Sequence, residues 1–249
     1  MAIAKVLVEG YYFRDKEGLE HASATVSLVL DKGIVMVVDP GTLKDPKILV
    51  DALKKEGLGV KDVTMVGVTH SHIDHYKNAG MFPGARILEY FGIWDEDKVE
   101  SYDEHFSENI QILKTPGHDI TSITFFVKTN DGVVAICGDV FWKENFPETD
   151  LYASDLQKLE HSRKLVLRMA KWVIPGHAGM YKAKSGTIKL ASALFGTTDK
   201  LKARVTGRCK KCRTPFTKNK DKCFCQEWLC YHCCECEMDC NACNCKHRI

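Results

Sequence analysis

Val63-Thr-Met-Val-Gly-Val-Thr-His-Ser-His-Ile-Asp-His75 is an apolar run that ends in four metal-binding side chains within six residues. The run from Val63 to Thr69 has the length and composition of a short buried strand. In extended chain, residues i and i+2 point the same way. His70 and His72 can therefore offer two imidazoles to one point, and Asp74 continues in that direction. A helix starting near Asp74 would swing His75 round to a second point.

Three later segments repeat the logic of a ligand placed just after a strand. Thr115-Pro-Gly-His118 follows Ile110–Lys114, Gly138-Asp139 follows Val133–Cys137, and Pro175-Gly-His177 follows Trp172–Ile174. Each carries a glycine that permits a tight turn. Any one of these histidines alone reads as a surface or satisfied core residue. Five imidazoles and two carboxylates in this order read as a two-metal hydrolytic site. The donor set suits zinc, and manganese or iron less exclusively.

Around these segments the pattern is that of a mixed α/β domain. Residues 1–10 and 23–38 read as strands, with a hairpin or loop at Tyr11–Gly18 between them. Pro46–Lys55 has helical spacing. Strand candidates follow at 85–90, 110–115, 123–129 and 133–137, the last two joined by Asn130-Asp-Gly132. Ser154-Asp-Leu-Gln157 resembles a capping box, opening a helix with Leu156, Leu159, Val166 and Met169 inward. A closing helix is expected over roughly Ser185–Leu201.

The last fifth of the chain differs in composition. Of 12 cysteines, only Cys137 precedes residue 209. From Lys200 to Ile249 there are 12 Lys and Arg against 5 Asp and Glu, a balance of +7; the rest of the chain carries −5. With no leader pattern and no apolar run of spanning length, the expectation is a cytoplasmic protein with no membrane partner. There a cysteine cluster reads as metal ligation before disulfides. The division expected is 1–203 for the hydrolase domain and 204–249 for a zinc-binding tail of ribbon or cross-brace type. Cys209 and Cys212 with Cys230 and Cys233 would form one site, and Cys223 and Cys225 with Cys240 and Cys243 another, for about two structural zinc ions. Iron–sulfur ligation is the runner-up. The tail's basic residues, interleaved with Phe216, Phe224, Trp228 and Tyr231, suit RNA or single-stranded nucleic acid; a protein-docking surface is the alternative. Nothing signals an oligomeric state.

Taken together, His70-Ser-His72-Ile-Asp74-His75, His118, Asp139 and His177 resemble the motif series of the metallo-β-lactamase superfamily, over about residues 3–195. The resemblance implies a four-layer αβ/βα sandwich with its site at one edge of two sheets. It implies that His70, His72 and His118 hold a first zinc, that Asp74, His75 and His177 hold a second, and that Asp139 bridges them. It also implies that Asp39 supports these ligands without binding metal. Pro116-Gly-His118, Gly138-Asp-Val-Phe141, Glu160-His-Ser-Arg163 and Val173-Ile-Pro-Gly-His177 resemble the branch that includes metallo-β-lactamase domain-containing protein 1 and prokaryotic relatives. That branch is associated with RNA cleavage.

The expected activity is dinuclear zinc-dependent hydrolysis by a metal-bridging hydroxide, with Asp74 orienting the nucleophile and passing a proton. RNA or single-stranded nucleic acid is the first substrate class. A glyoxalase-like hydrolysis of a small thioester, ester or lactone is the alternative, and a zinc-dependent protein-interaction module is a third reading. Tyr12, on the early loop, and Tyr181, four residues past His177, are candidates to contact substrate.

Overall fold

In a computed structural model of the chain, residues 1–183 are described. The division at 203/204 and the helix expected over 185–201 lie outside the described residues. So do all eight cysteines assigned to the tail's zinc sites, Cys209, Cys212, Cys223, Cys225, Cys230, Cys233, Cys240 and Cys243.

Seven strands form the first sheet, in the order β1 (Ile3–Val8), β4 (Val26–Asp31), β5 (Ile34–Val38), β6 (Met65–Gly67), β7 (Arg86–Glu89), β8 (Gly92–Asp95) and β9 (Lys98–Glu100). The second sheet has five, in sequence order: β10 (Ile110–Lys114), β11 (Ile123–Thr129), β12 (Gly132–Ile136), β13 (Trp172–Ile174) and β14 (Tyr181–Lys182). A separate hairpin pairs β2 (Tyr11–Arg14) with β3 (Glu20–Ser23).

Side-chain alternation sets the layers. Along β5 and β6, Met36, Val38 and Met65 face a core shared with Ile112, Phe125, Val127 and Ile136 of the second sheet. Their neighbours Val37 and Val66 turn the other way, onto Leu49 and Leu53 of helix α1 (Lys47–Lys55). Helix α3 (Leu156–Met169) packs beside β12 of the second sheet. The order helix, sheet, sheet, helix follows directly from the period of two. Among the described residues, no helix is long and apolar enough to cross a membrane.

Three local expectations change. The stretch 23–38 is two antiparallel strands, because Lys32 (φ 30°) and Gly33 (φ 85°) make a two-residue turn between Asp31 and Ile34. Helix α3 starts one residue later than a cap at Ser154 would place it: the Asp155 carboxylate accepts from Lys158 N at 3.0 Å, and Ser154 Oγ instead donates to Gly117 O at 3.1 Å. Leu156, in its first turn, is 52% exposed, and Ser162 takes a buried place beside Leu159, Val166 and Met169. Strands β8 and β9 have no clear signal in the sequence, since Asp95-Glu-Asp-Lys98 breaks their apolar alternation. Pairing with β7 makes strands of them.

Cys137 is buried at the end of β12, with its thiol near the carbonyls of Gly138 and Ile174. Burial pushes that thiol well above its usual range.

Gly117 shows how tightly the ligand loops meet the layers. Its φ is +136°, and a Cβ there would stand 2.1 Å from Leu159 N. Gly117→Ala must displace helix α3 or the loop that carries His118. It is expected to cost at least about 2 kcal/mol, read as a lower urea midpoint at unchanged m-value. A midpoint equal to that of the parent chain would contradict this packing.

Candidate metal centre

The edge where β5, β6, β10, β12 and β13 end gathers every ligand expected of the hydrolase site. His70, His72, His118 and Asp139 offer ligand atoms all within 4.8 Å of one another, and so do Asp74, His75 and His177. Each group could hold a metal ion. After β6 the chain bends over residues 69–71, His72 is extended (φ −81°, ψ 135°), and the single-turn helix α2 (Ile73–Tyr76) follows; the His70 ring ends 4.6 Å from His72 and 4.1 Å from His75. Asp139 lies between the groups. Its Oδ2 is 3.4 Å from His118 Nε2, and its Oδ1 is 3.3 Å from both His75 Nε2 and His177 Nε2. Asp74 Oδ2 is 3.6 Å from His177 Nε2 and 3.9 Å from His75 Nε2.

Four of the five imidazoles have Nδ1 occupied from behind. His70 Nδ1 lies 3.1 Å from Thr69 Oγ1, and His75 Nδ1 lies 2.8 Å from Asp39 Oδ2. His118 Nδ1 is 2.6 Å from Asp150 Oδ2, and His177 Nδ1 is 3.0 Å from Ser23 O. Where they face a carboxylate or a carbonyl, these nitrogens donate, so the Nε2 lone pairs turn inward. His72 is the exception: its Nδ1 sits 3.0 Å from His118 Nε2. With His118 donating through Nδ1, its Nε2 is an acceptor, and the Nδ1–H tautomer of His72 donates to it. His70 Nε2, His75 Nε2 and Asp139 Oδ1 are buried without a hydrogen-bond partner. Orphaned buried atoms of this kind are costly unless something absent from the chain satisfies them. The donor set, the tautomers and the orphaned atoms all fit divalent metal.

The electrostatics agree. Burial, reinforced by His75, holds the His70 imidazole well below its ordinary pKa, so it stays a neutral donor. Burial acts on His75 in the same sense, but Asp39 and Asp139 outweigh it and lift the pKa well above the usual value. Burial would raise the Asp139 carboxyl, yet His177 and His75 keep it far below the carboxylate range. The proton that Asp39 and Asp139 favour on His75 is the charge that a metal ion at Nε2 would replace.

Asp39 turns its carboxylate away from the metal-facing atoms; it accepts from Thr69 N at 2.8 Å, Thr69 Oγ1 at 2.7 Å and His75 Nδ1 at 2.8 Å. Its backbone is in the left-handed region, at φ 49°. Tyr12 stands beside the site, its ring 4.7 Å from Trp142 and 6.5 Å from His177, while its hydroxyl donates to Glu20. Tyr181 keeps different company: its ring meets Phe141 at 6.4 Å, its hydroxyl is buried without a partner, and burial pushes its pKa up. Three residues the sequence did not single out are Thr69, Asp150 and Trp142. Thr69 adjoins the first ligand and could have been suspected. Asp150 sits in a loop with no pattern, and only the fold brings it to His118, 32 residues back. Trp142 packs 5.9 Å from the His177 ring and 6.1 Å from His118.

Gly176 leaves no room for error: a Cβ there would fall 1.8 Å from Asp139 Oδ1. Gly176→Ala is expected to lower the metal content of purified protein, with far-UV circular dichroism unchanged. Asp150→Asn keeps the volume but weakens the acceptor behind His118; metal affinity by chelator competition should fall by about 10–100-fold. Full affinity in Asp150→Asn would mean that His118 needs no such support.

The comparisons fit this geometry. The profile of the metallo-β-lactamase superfamily matches residues 21–113. Metallo-β-lactamase domain-containing protein 1 of Xenopus laevis is 29% identical over 187 residues, covering 71% of this chain and 80% of the frog protein. A probable metallo-hydrolase of Methanocaldococcus jannaschii is 30% identical over 188 residues, 72% of this chain and 89% of its own length. Among solved structures, a metallo-β-lactamase-like protein of Thermotoga maritima superposes with a TM-score of 0.59 at 22% identity, covering 73% of this chain and 99% of that one. By its relatives, its fold and its ordered His and Asp segments, the chain belongs to the metallo-β-lactamase superfamily of metal-dependent hydrolases.

Proposed function

We propose that this protein is a dinuclear zinc hydrolase that cleaves a small ester, thioester or lactone. The observation that carries the two-metal reading is Asp139, whose carboxylate stands 3.4 Å from His118 of one ligand group and 3.3 Å from His75 and His177 of the other. His70, His72 and His118 would hold one ion, Asp74, His75 and His177 the other, and Asp139 both. Nitrogen and oxygen donors favour zinc, with iron or manganese as substitutes. Bound there, two divalent cations would supply Lewis acidity to the scissile group and a water acidified toward neutrality.

The chain's own groups supply the rest. Asp74 has a side chain 22% exposed, whereas Asp139 is 5% exposed. A carboxylate in contact with solvent can orient an attacking water, take its proton and return one to the leaving group. Asp139, buried and held ionised, is suited to fixed charge. Tyr12 and Trp142 wall the centre on one side and limit the water that reaches it.

The charge of the described residues supports a substrate that is not a polyanion. Residues 1–183 carry 21 Lys and Arg against 27 Asp and Glu, and four of these acids, Asp95, Glu96, Asp97 and Glu100, gather in the β8–β9 hairpin on one sheet edge. A second reading, cleavage of RNA or single-stranded nucleic acid gripped by the tail, rests on the +7 balance beyond residue 199. Docking of a protein on the tail is the remaining role for that segment.

Zinc-loaded full-length protein assayed on lactones, thioesters and aryl esters, beside labelled single-stranded RNA, separates these readings. The expected result is ester-type turnover, with kcat lowered by about 10²–10⁴ in Asp74→Ala. RNA cleavage without ester turnover would replace the first reading by the second.

A further inference from the structure

A cavity of about 250 Å³ lies beside the segment that carries the first ligands and shares one residue, His70, with the metal centre. Val68 and Ile87 contribute aliphatic surface, and Tyr76, Tyr90 and Trp94 are its aromatic walls. We propose that this cavity receives an uncharged aromatic ring of the substrate while the bond to be cleaved lies at the metal centre. The proposal rests on the small-substrate hydrolase reading and names the substrate's recognised group.

Its size is that of one substituent, below the roughly 300 Å³ at which pockets begin to enclose a whole drug-sized ligand. The walls are fixed by a carboxylate of the lining itself, Glu89. Glu89 accepts from Trp94 Nε1 at 2.7 Å through one oxygen and from Phe91 N at 3.0 Å through the other. The carboxylate is thereby committed to holding the indole in place. Trp94 lies directly across from Ile87 in the β7–β8 pairing, so wall and floor are one cross-strand unit. On Tyr90, Lys114 Nζ stands 4.0 Å from the ring centroid. A cation already polarising that ring disfavours a second one, and Glu89 together with the acidic hairpin disfavours an anion. An uncharged ring meets neither penalty and gains offset or edge contacts with three aromatic walls. Trp94 and Tyr76 are 40% and 37% exposed, unusually bare for aromatics beside a cavity.

The test has a binding arm and a kinetic arm, both on zinc-loaded full-length protein. Saturation-transfer NMR with benzyl alcohol should show saturable binding, lost in Ala79→Phe, which fills the cavity from its lining, and weakened in Trp94→Ala. Benzyltrimethylammonium should bind more weakly than benzyl alcohol. In the kinetic arm, the kcat/KM ratio of a phenylacetyl ester to the acetyl ester of the same alcohol should fall about tenfold or more in Trp94→Ala. Absence of benzyl alcohol binding in the parent chain, or tighter binding of the ammonium probe, would overturn the pocket assignment whether or not any ester is cleaved. Benzyl alcohol binding without ester turnover would leave the pocket standing and fail the hydrolase reading instead. An unchanged ratio in Trp94→Ala would remove the indole from substrate recognition.

Discussion

Three hydrogen bonds to one buried carboxylate hold the centre together. Asp39 receives the amide and hydroxyl of Thr69 and the Nδ1 proton of His75, linking the end of β5 to the ends of β6 and α2. Through Thr69 it also reaches His70, whose Nδ1 meets the threonine hydroxyl. A carboxylate at 2% exposure is expensive to bury unless all its contacts are made. Here they are, and each of them orients part of the metal site. The left-handed backbone of Asp39 is the conformational cost of placing one side chain among three partners.

That arrangement shows why some of the molecule could be read in advance. Ligands that follow strands are legible because strand and ligand are adjacent in sequence: Val63–Thr69 announces His70, and Trp172–Ile174 announces His177. The core was legible for the same reason, since Met36, Val38 and Met65 alternate with Val37 and Val66. What escaped depends on contacts between distant segments. Asp150 matters only because His118 lies against it, and Trp142 only because a loop folds back over two imidazoles. Strands β8 and β9 escaped because their charged turn hides a pairing that β7 imposes. Asp39 was legible only through family resemblance; its own neighbours, Pro40 and Gly41, say turn and nothing about metal.

The site and the adjoining cavity divide the chemistry by burial. Four of the imidazoles and Asp139 are held by dry contacts that fix tautomer and charge. Asp74 is the one carboxylate of the two ligand groups that keeps contact with solvent. The aromatic walls at Tyr12 on one flank, and at Tyr90 and Trp94 on another, are pinned by polar groups beside them. Rigid walls of this kind lower the ordering cost of binding.

Cys137 ends β12 one residue before the loop that delivers Asp139, yet its sulfur is sealed against carbonyls and its proton is held by burial. Thiolate, not thiol, binds soft metal and reacts with peroxide. The hydrolase centre therefore presents only nitrogen and oxygen to incoming ions. Among the described residues no other cysteine stands near the centre that could offer a thiolate to cuprous copper or cadmium. The one sulfur next to the ligand loop is thus kept out of the donor set by where it is packed.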